Sequence, residues 1–247
     1  MPSLFDPYDL GVIYLKNRIV MAPMERSRAR NADLAPNNGA LNTRNDRYGG
    51  RSIENRLRFT LETVDAIAAA IGSERTGIRL SPFGRYNDMP PFEGEAETYL
   101  KLAAELSSRK LAYVHISDQT KWADASIPKN YLKEFRQAYH GTLILAGGYL
   151  KANGQAALDA DEADLIAVGK PFLANPDLVE RLRNNWPLNE PDRATFYTAG
   201  TQGYIDYPIC RKEDAGQGIP PTIPAHSPAL SELRVSDRVP SPERNCK

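Results

Sequence analysis

The chain has 247 residues, of which 41% are hydrophobic, enough to bury one sizeable α/β core. Its 31 basic and 31 acidic residues cancel, so no net field favours nucleic acid or an anionic membrane surface, and a small-molecule ligand is the expected partner. No run approaches the roughly 20 apolar residues of a membrane span, and MPSLFDPYDL lacks the order of a secretory signal, so the expected location is the cytoplasm. Cys210 and Cys246 have neither disulfide-framework nor zinc-site spacing.

Near the start, LGVIYLKN reads as a hairpin and KNRIVMAPM (16–24) contains a first apolar strand. The polar run NADLAPNNGALNTRNDRYGG (31–50) follows, reading as loop. From Asp46 to Asn184 amphipathic helices alternate with short apolar runs ending in glycine or proline, the rhythm of βα units. The clearest helix spans 52–71: Ile53, Leu57, Leu61, Val64, Ile67 and Ile71 recur every three or four residues, with Ser52 as N-cap and Gly72 past the end. Then come a strand in TGIRLSP (76–82), a helix over 94–110, a strand over 112–117, a helix over 130–139, a strand in TLILAGG (142–148), a weaker helix over 154–162 and a strand in DLIAVG (164–169). The last helix is PDLVERLRNN (176–185), with Pro176 in its first turn. About five core strands are visible where a closed (β/α)8 barrel needs eight. From Ile209 onward a proline-punctuated polar stretch reads as a disordered tail, dividing the chain into a domain at 1–208 and a tail at 209–247.

Two successive strands end in glycine, LAGGY and AVGKP. Gly147, Gly148 and Gly169 could bring backbone amides to an anion, with Lys170 adding a full charge; equally, they could serve only to permit tight turns. Arg79 alternates out of its strand toward a barrel interior or rim, where its guanidinium needs an anionic or carbonyl-rich partner, either a ligand edge or a salt bridge within the barrel. His115, on an apolar strand three residues before Asp118, reads as a hydrogen-bonded core histidine. With His140 and His226 it forms no metal-site or triad spacing. Tyr86, Phe196 and Tyr197 are candidates for stacking on a planar ligand, or for ordinary packing.

Several stretches together resemble the old yellow enzyme family of FMN-dependent NADH:flavin oxidoreductases and alkene reductases. LFDPYDLGVIYLKNRIVMAPMERSRA is similar to that family's opening hairpin and first barrel strand, TRNDRYGGRSIENRLRF to the signature before its fourth helix, and GIRLSPFGRYNDM to its fifth strand and loop. DLIAVGKPFLANPDLVERLRNNWPLNEPDRATFY is similar to its eighth strand and closing helices, so the likeness runs over nearly all of residues 3–208. The resemblance implies an α/β fold: an incomplete (β/α)8 TIM-type barrel with an N-terminal β-hairpin. It implies FMN and NAD(P)H as cofactors, and an enone or quinone as substrate. Pro23, Met24 and Glu25 would lie beside the flavin ring, and Arg79 at its pyrimidine edge. Gly147, Gly148, Gly169 and Lys170 would hold the FMN phosphate, while Tyr86 and Tyr197 would line the substrate space above the ring.

The departures are as informative. Glu25 stands where threonine is usual, Lys170 where arginine is usual, and Arg51 looks inserted within the YGGS run. After RSRARNADLAP the family's second to fourth barrel strands have no counterpart. With them would go the His/His or His/Asn pair that grips the substrate carbonyl, a proton-donating tyrosine and a flavin-binding glutamine. Impaired alkene reduction and an open, incomplete barrel with exposed sheet edges are expected; the edges could instead be covered by a homo-oligomer or closed with fewer strands, or leave the chain unstable. The alternative is a non-catalytic relative, a weak flavin binder or interaction protein, or the product of a wrongly assembled gene.

Overall fold

In the computed structural model, residues 1–23, 42–85, 90–118, 127–128, 130–198 and 200–210 are described. Two short strands, β1 (Tyr8–Asp9) and β2 (Tyr14–Leu15), pair antiparallel as a hairpin. Then come β3 (Ile19–Met21), α1 (Ile53–Ile71), β4 (Gly77–Leu80), α2 (Glu95–Ser108), β5 (Tyr113–Ser117), α3 (Tyr131–Ala138), β6 (Leu143–Ala146), α4 (Lys151–Asp159), β7 (Leu165–Val168), α5 (Lys170–Ala174) and α6 (Leu178–Asn184).

The five longer-range strands form one parallel sheet in the order β3-β7-β6-β5-β4. Strands β4 to β7 follow one another as neighbours, and the first strand, β3, lies on the far side of the last, β7. That is how a singly wound barrel closes its seam. Yet β3 and β4, consecutive in the sheet's chain order, occupy opposite edges, and among the described residues nothing hydrogen-bonds between them as a strand. An eight-stranded barrel would place three further strands there.

Alternation along the strands sorts the side chains into two clusters. Ile19, Leu80, Val114, Ile116, Leu143, Leu145, Ile166 and Val168 face outward and pack with Leu57, Val64, Leu102, Leu106, Phe135, Leu158 and Leu178 of the helices. Ile144, Ala146, Leu165 and Ala167 face inward and pack with Val20, Ala22, Tyr113 and the hairpin's Tyr8 and Leu15. The hairpin closes the N-terminal end: the Tyr8 hydroxyl is 2.8 Å from Thr142 Oγ1, just before β6. The carboxyl ends of the strands are therefore the end of the sheet left for a site.

The helices form where periodicity and caps agree. Ser52 Oγ accepts from Asn55 N at 3.3 Å, and Gly72, at φ 96°, ends α1. Arg56 ties that helix start to its surroundings, donating through Nε to Gly50 O (2.7 Å) and through Nη1 to Thr98 Oγ1 of α2 (3.0 Å). Three expectations need correcting. Helix α4 begins at Lys151, not Gly154, because Asn153 Oδ1 accepts from Leu150 N at 2.7 Å and caps it earlier. Pro176 lies before the N-cap Asp177 of α6 rather than inside the first turn. Helix α5 was not anticipated; five residues containing Pro171 carry no usable period. The proline-punctuated tail lies outside the described residues from 211 onward.

Candidate functional site

Strands β6 and β7 are hydrogen-bonded neighbours, with Ala146 opposite Ala167, so the turns that follow them lie side by side at the carboxyl end of the sheet. The first turn carries Gly147 (φ 144°) and Gly148 (φ 74°) in backbone regions that only glycine enters easily. A Cβ on Gly147 would sit 2.5 Å from Asp118 Cβ, so the turn also depends on close packing against the end of β5. The second turn is Gly169, followed by Lys170 at the start of α5. Among the described residues, the amides of Gly147, Gly148 and Gly169 donate to nothing. Burial, and then the nearby Arg193 guanidinium, lower the proton affinity of the Lys170 ammonium. Adjacent unspent amides, one lysine and one arginine form a donor set suited to a phosphate.

Arg79 projects from β4, one edge of the sheet, across the mouth of the half-barrel. Its Nη1 donates to Pro23 O, just past β3 on the other edge, at 3.4 Å. Of the two partners expected for this guanidinium, the structure supplies a carbonyl rather than a carboxylate. Pro23 and Arg79 are thus brought together at the rim, and Pro23 follows Ala22, whose N donates to Val168 O (2.9 Å) just before the Gly169 turn. Tyr197 is 63% exposed and meets Phe196 edge to face at 6.4 Å between ring centres. Tyr86, Met24 and Glu25 lie outside the described residues.

His115 lies opposite Arg79 in the β4–β5 register, on the inward face, and is 5% exposed. It is a core histidine as expected, but Nε2 has no hydrogen-bond partner, contrary to expectation. Barrel interiors are filled by layers drawn from alternate strands. For β5 those contributors are β7 and two strands that would fall in the gap between β3 and β4, where no strand lies among the described residues. Burial, reinforced by the Arg79 charge, pushes the imidazole down to about 4. Because the folded value lies below the unfolded one of about 6.5, the unfolded chain protonates first, and stability falls as pH drops through that window. The wild type is expected to lose up to about 3 kcal/mol from this group between pH 6.5 and 4. His115→Leu should remove that part of the slope, as read from urea midpoints across the same range.

Sequence reading missed two groups that shape the rim. Glu95, in the first turn of α2, is buried; Oε1 accepts from Phe83 N (3.0 Å) and Arg85 Nη1 (3.1 Å), and Oε2 from Arg85 Nη2 (2.8 Å). It fixes the loop after β4, whose Phe83 (φ 58°) packs edge to face on Tyr131 at 4.8 Å. Arg181 of α6 is fully buried. It donates to Asp177 Oδ1 (2.7 Å), Pro187 O (2.7 Å), Asn189 Oδ1 (3.4 Å) and Pro208 O (2.9 Å), holding residues 187–210 against the helix. The only hint was an Asp and an Arg four residues apart, a spacing shared by many exposed pairs. Among the described residues no three His, Cys, Asp or Glu side chains gather as a metal site, and no helix is long and apolar enough to cross a membrane.

Residues 37–189 match the family described as NADH:flavin oxidoreductase / NADH oxidase. The chain is similar to 12-oxophytodienoate reductase 2 of Arabidopsis thaliana, 41% identical over 171 residues, which is 68% of this chain and 45% of that one. Among solved structures, morphinone reductase superposes with a TM-score of 0.67 at 43% identity, covering 74% of this chain and 50% of that one. The old yellow enzyme from Trypanosoma cruzi gives 0.65 at 29% identity, over 71% and 46%. The chain therefore spans about half the length of the relatives it matches.

Proposed function

The chain belongs to the NADH:flavin oxidoreductase / NADH oxidase family, and from that premise we propose that it is an FMN-dependent NAD(P)H oxidoreductase of old yellow enzyme type, acting on activated alkenes such as enones, with a weakened alkene-reducing step. The observation that carries this reading is the pair of glycine turns after β6 and β7, with unspent amides and Lys170. FMN, when bound, supplies the exchange of electron pairs between a nicotinamide and an alkene or quinone.

The protein's own residues bind and orient. Gly147, Gly148, Gly169 and Lys170 hold the phosphate; Lys170 gives a point charge where arginine would give a bidentate fork. Arg79, beside the Pro23 carbonyl, offers positive charge to the electron-rich edge of the ring, with Met24 and Glu25 following Pro23 along it. An ionised Glu25 there disfavours electron-rich states of the ring. Tyr86 and Tyr197 line the space for nicotinamide or substrate. The groups that would polarise a substrate carbonyl and deliver a proton belong to the strands without counterpart here, and a positioned acid alone is worth about 10²–10⁴-fold.

A second reading, a non-catalytic weak flavin binder or interaction protein, is favoured by the edges at β3 and β4, which have no strand partner among the described residues. In either reading a second copy covers those edges, residues 1–208 form the flavin domain with 209–247 as its tail, and the protein works in the cytoplasm. The test is to purify the chain, record its flavin spectrum and add NADPH or NADH anaerobically. Flavin bands that bleach, with enone turnover at least 100-fold slower than bleaching, are expected. A colourless soluble protein would leave only the second reading.

A further inference from the structure

We propose that the chain self-associates through the flank of α1 that faces away from α2, two copies laying these flanks together antiparallel about a twofold axis near Ala66. This rests on the reading that a second copy covers the open edges, and it names the surface by which that happens at β4. Helix α1 has three sides. Leu57, Thr60 and Val64 are buried toward the sheet. Glu54 and Asp65 turn toward α2, where Glu54 pairs with Lys101 and Asp65 Oδ1 accepts from Arg109 Nε at 2.7 Å. At 3.6 residues per turn, Phe59, Thr63, Ala66, Ile67 and Ala70 fall on the remaining flank, beyond the edge strand β4, where a closed barrel would set its next βα unit.

That flank is apolar and uncovered. Phe59 is 41% exposed, Ile67 44% and Ile71, one turn further on, 51%; Thr63, Ala66 and Ala70 are exposed as well. Thr63 Oγ1 donates to Phe59 O at 2.7 Å within the helix, so its hydroxyl needs no outside partner. Over 66–71 the sequence AIAAAI is apolar all round, a pattern proper to a buried helix.

A second copy is the partner that fits. From Phe59 to Ile71 the flank carries no charge, and Glu62 beside it is held by Arg47 and by the Tyr48 hydroxyl (2.7 Å). Two such flanks meet without like-charge repulsion, whereas a charged partner would bury its charges unpaired. Small side chains at 63, 66 and 70 let the backbones approach, and Phe59 and Ile67 supply area. A 19-residue helix is about 28 Å long, so two flanks roughly 10 Å wide remove on the order of 1,000 Å² from water, the lower bound of a specific interface. The contact is self-complementary and closes at two copies. The chain's own residues 211–247 suit the flank less well, because Pro220, Pro221, Pro224, Pro228, Pro240 and Pro242 interrupt any apolar helical period.

The test is sedimentation velocity on the full chain for the wild type, Ile67→Glu, Ile67→Lys and, in the hairpin turn where the side chain is 50% exposed, Val12→Glu. The wild type should sediment as a dimer. Ile67→Glu and Ile67→Lys should each weaken association roughly tenfold or more, and an equimolar mixture of the two should restore it, since the axis sets the opposite charges close together. Val12→Glu should leave the dimer intact. If Ile67→Glu lacks the wild-type circular dichroism, Ala70→Glu on the same flank takes its place, with the same loss expected. A dimer that survives these flank substitutions means that the copies meet elsewhere: the inference fails while the wider reading stands. A monomeric wild type overturns both, and a lowered thermal midpoint in Ile67→Glu would then assign the flank to the chain's own tail.

Discussion

Replacing Arg181 by alanine is expected to destabilise the folded chain by about 3–5 kcal/mol, the largest single-residue effect in this protein. The guanidinium is 0% exposed and meets one carboxylate, one amide oxygen and two backbone carbonyls. Alanine would strand the Asp177 carboxylate, whose other oxygen accepts from Cys210 N at 2.7 Å, would take from the Pro187 carbonyl its Arg181 donor, and would leave the Pro208 carbonyl with Asn189 Nδ2 (2.9 Å) alone. Urea denaturation should show the midpoint falling accordingly. A loss under about 1 kcal/mol would mean that solvent reaches this network and screens it.

The second large effect is expected at Gly147. Alanine there would need φ near 144° and would place its Cβ 2.5 Å from Asp118 Cβ and 3.0 Å from Asp118 O. Either the turn or the end of β5 must move, at about 1–3 kcal/mol of stability. Since the turn's amides are the proposed phosphate donors, FMN affinity should drop at least tenfold. Gly154→Ala is the matching control: its Cβ would make an ordinary 3.4 Å contact with Ile166 Cγ2, inside α4, where alanine also favours the helix. It should leave both stability and flavin binding at or above wild-type levels, as followed by thermal melting and FMN titration.

What the sequence made legible follows from which signals are local. Helix α1 could be read almost to the residue, because its apolar period, the Ser52 cap and Gly72 all act within a few positions of one another. Strands β6 and β7 stood out as continuous apolar runs because a parallel sheet buries both faces, and all eight of their residues are buried. Among the described residues the parallel sheet has five strands, in keeping with the count of about five, against eight in a closed barrel. What escaped depends on distant partners. Arg181 and Glu95 look like surface charges until residues 187–210 fold over the first and the β4 loop turns back onto the second. His115 was expected to be bonded because buried polar atoms usually are; that its Nε2 meets no partner among the described residues depends on what other strands bring to the inward face, which no local pattern encodes.

The same logic applies to the site. Glycine at strand ends is a local signal, and it marked the two turns that the sheet sets side by side. Alternation alone turned Arg79 toward a barrel interior or rim, but its carbonyl partner, Pro23 O, lies just past β3, at the opposite edge of the sheet.

The most direct measurement is the phosphorus NMR spectrum of FMN with the purified chain in excess. A mononucleotide clasped by the β6 and β7 turns should give a shifted, broadened resonance that returns toward its free position in Lys170→Ala. An unshifted, sharp signal at saturating protein would contradict the account at its base.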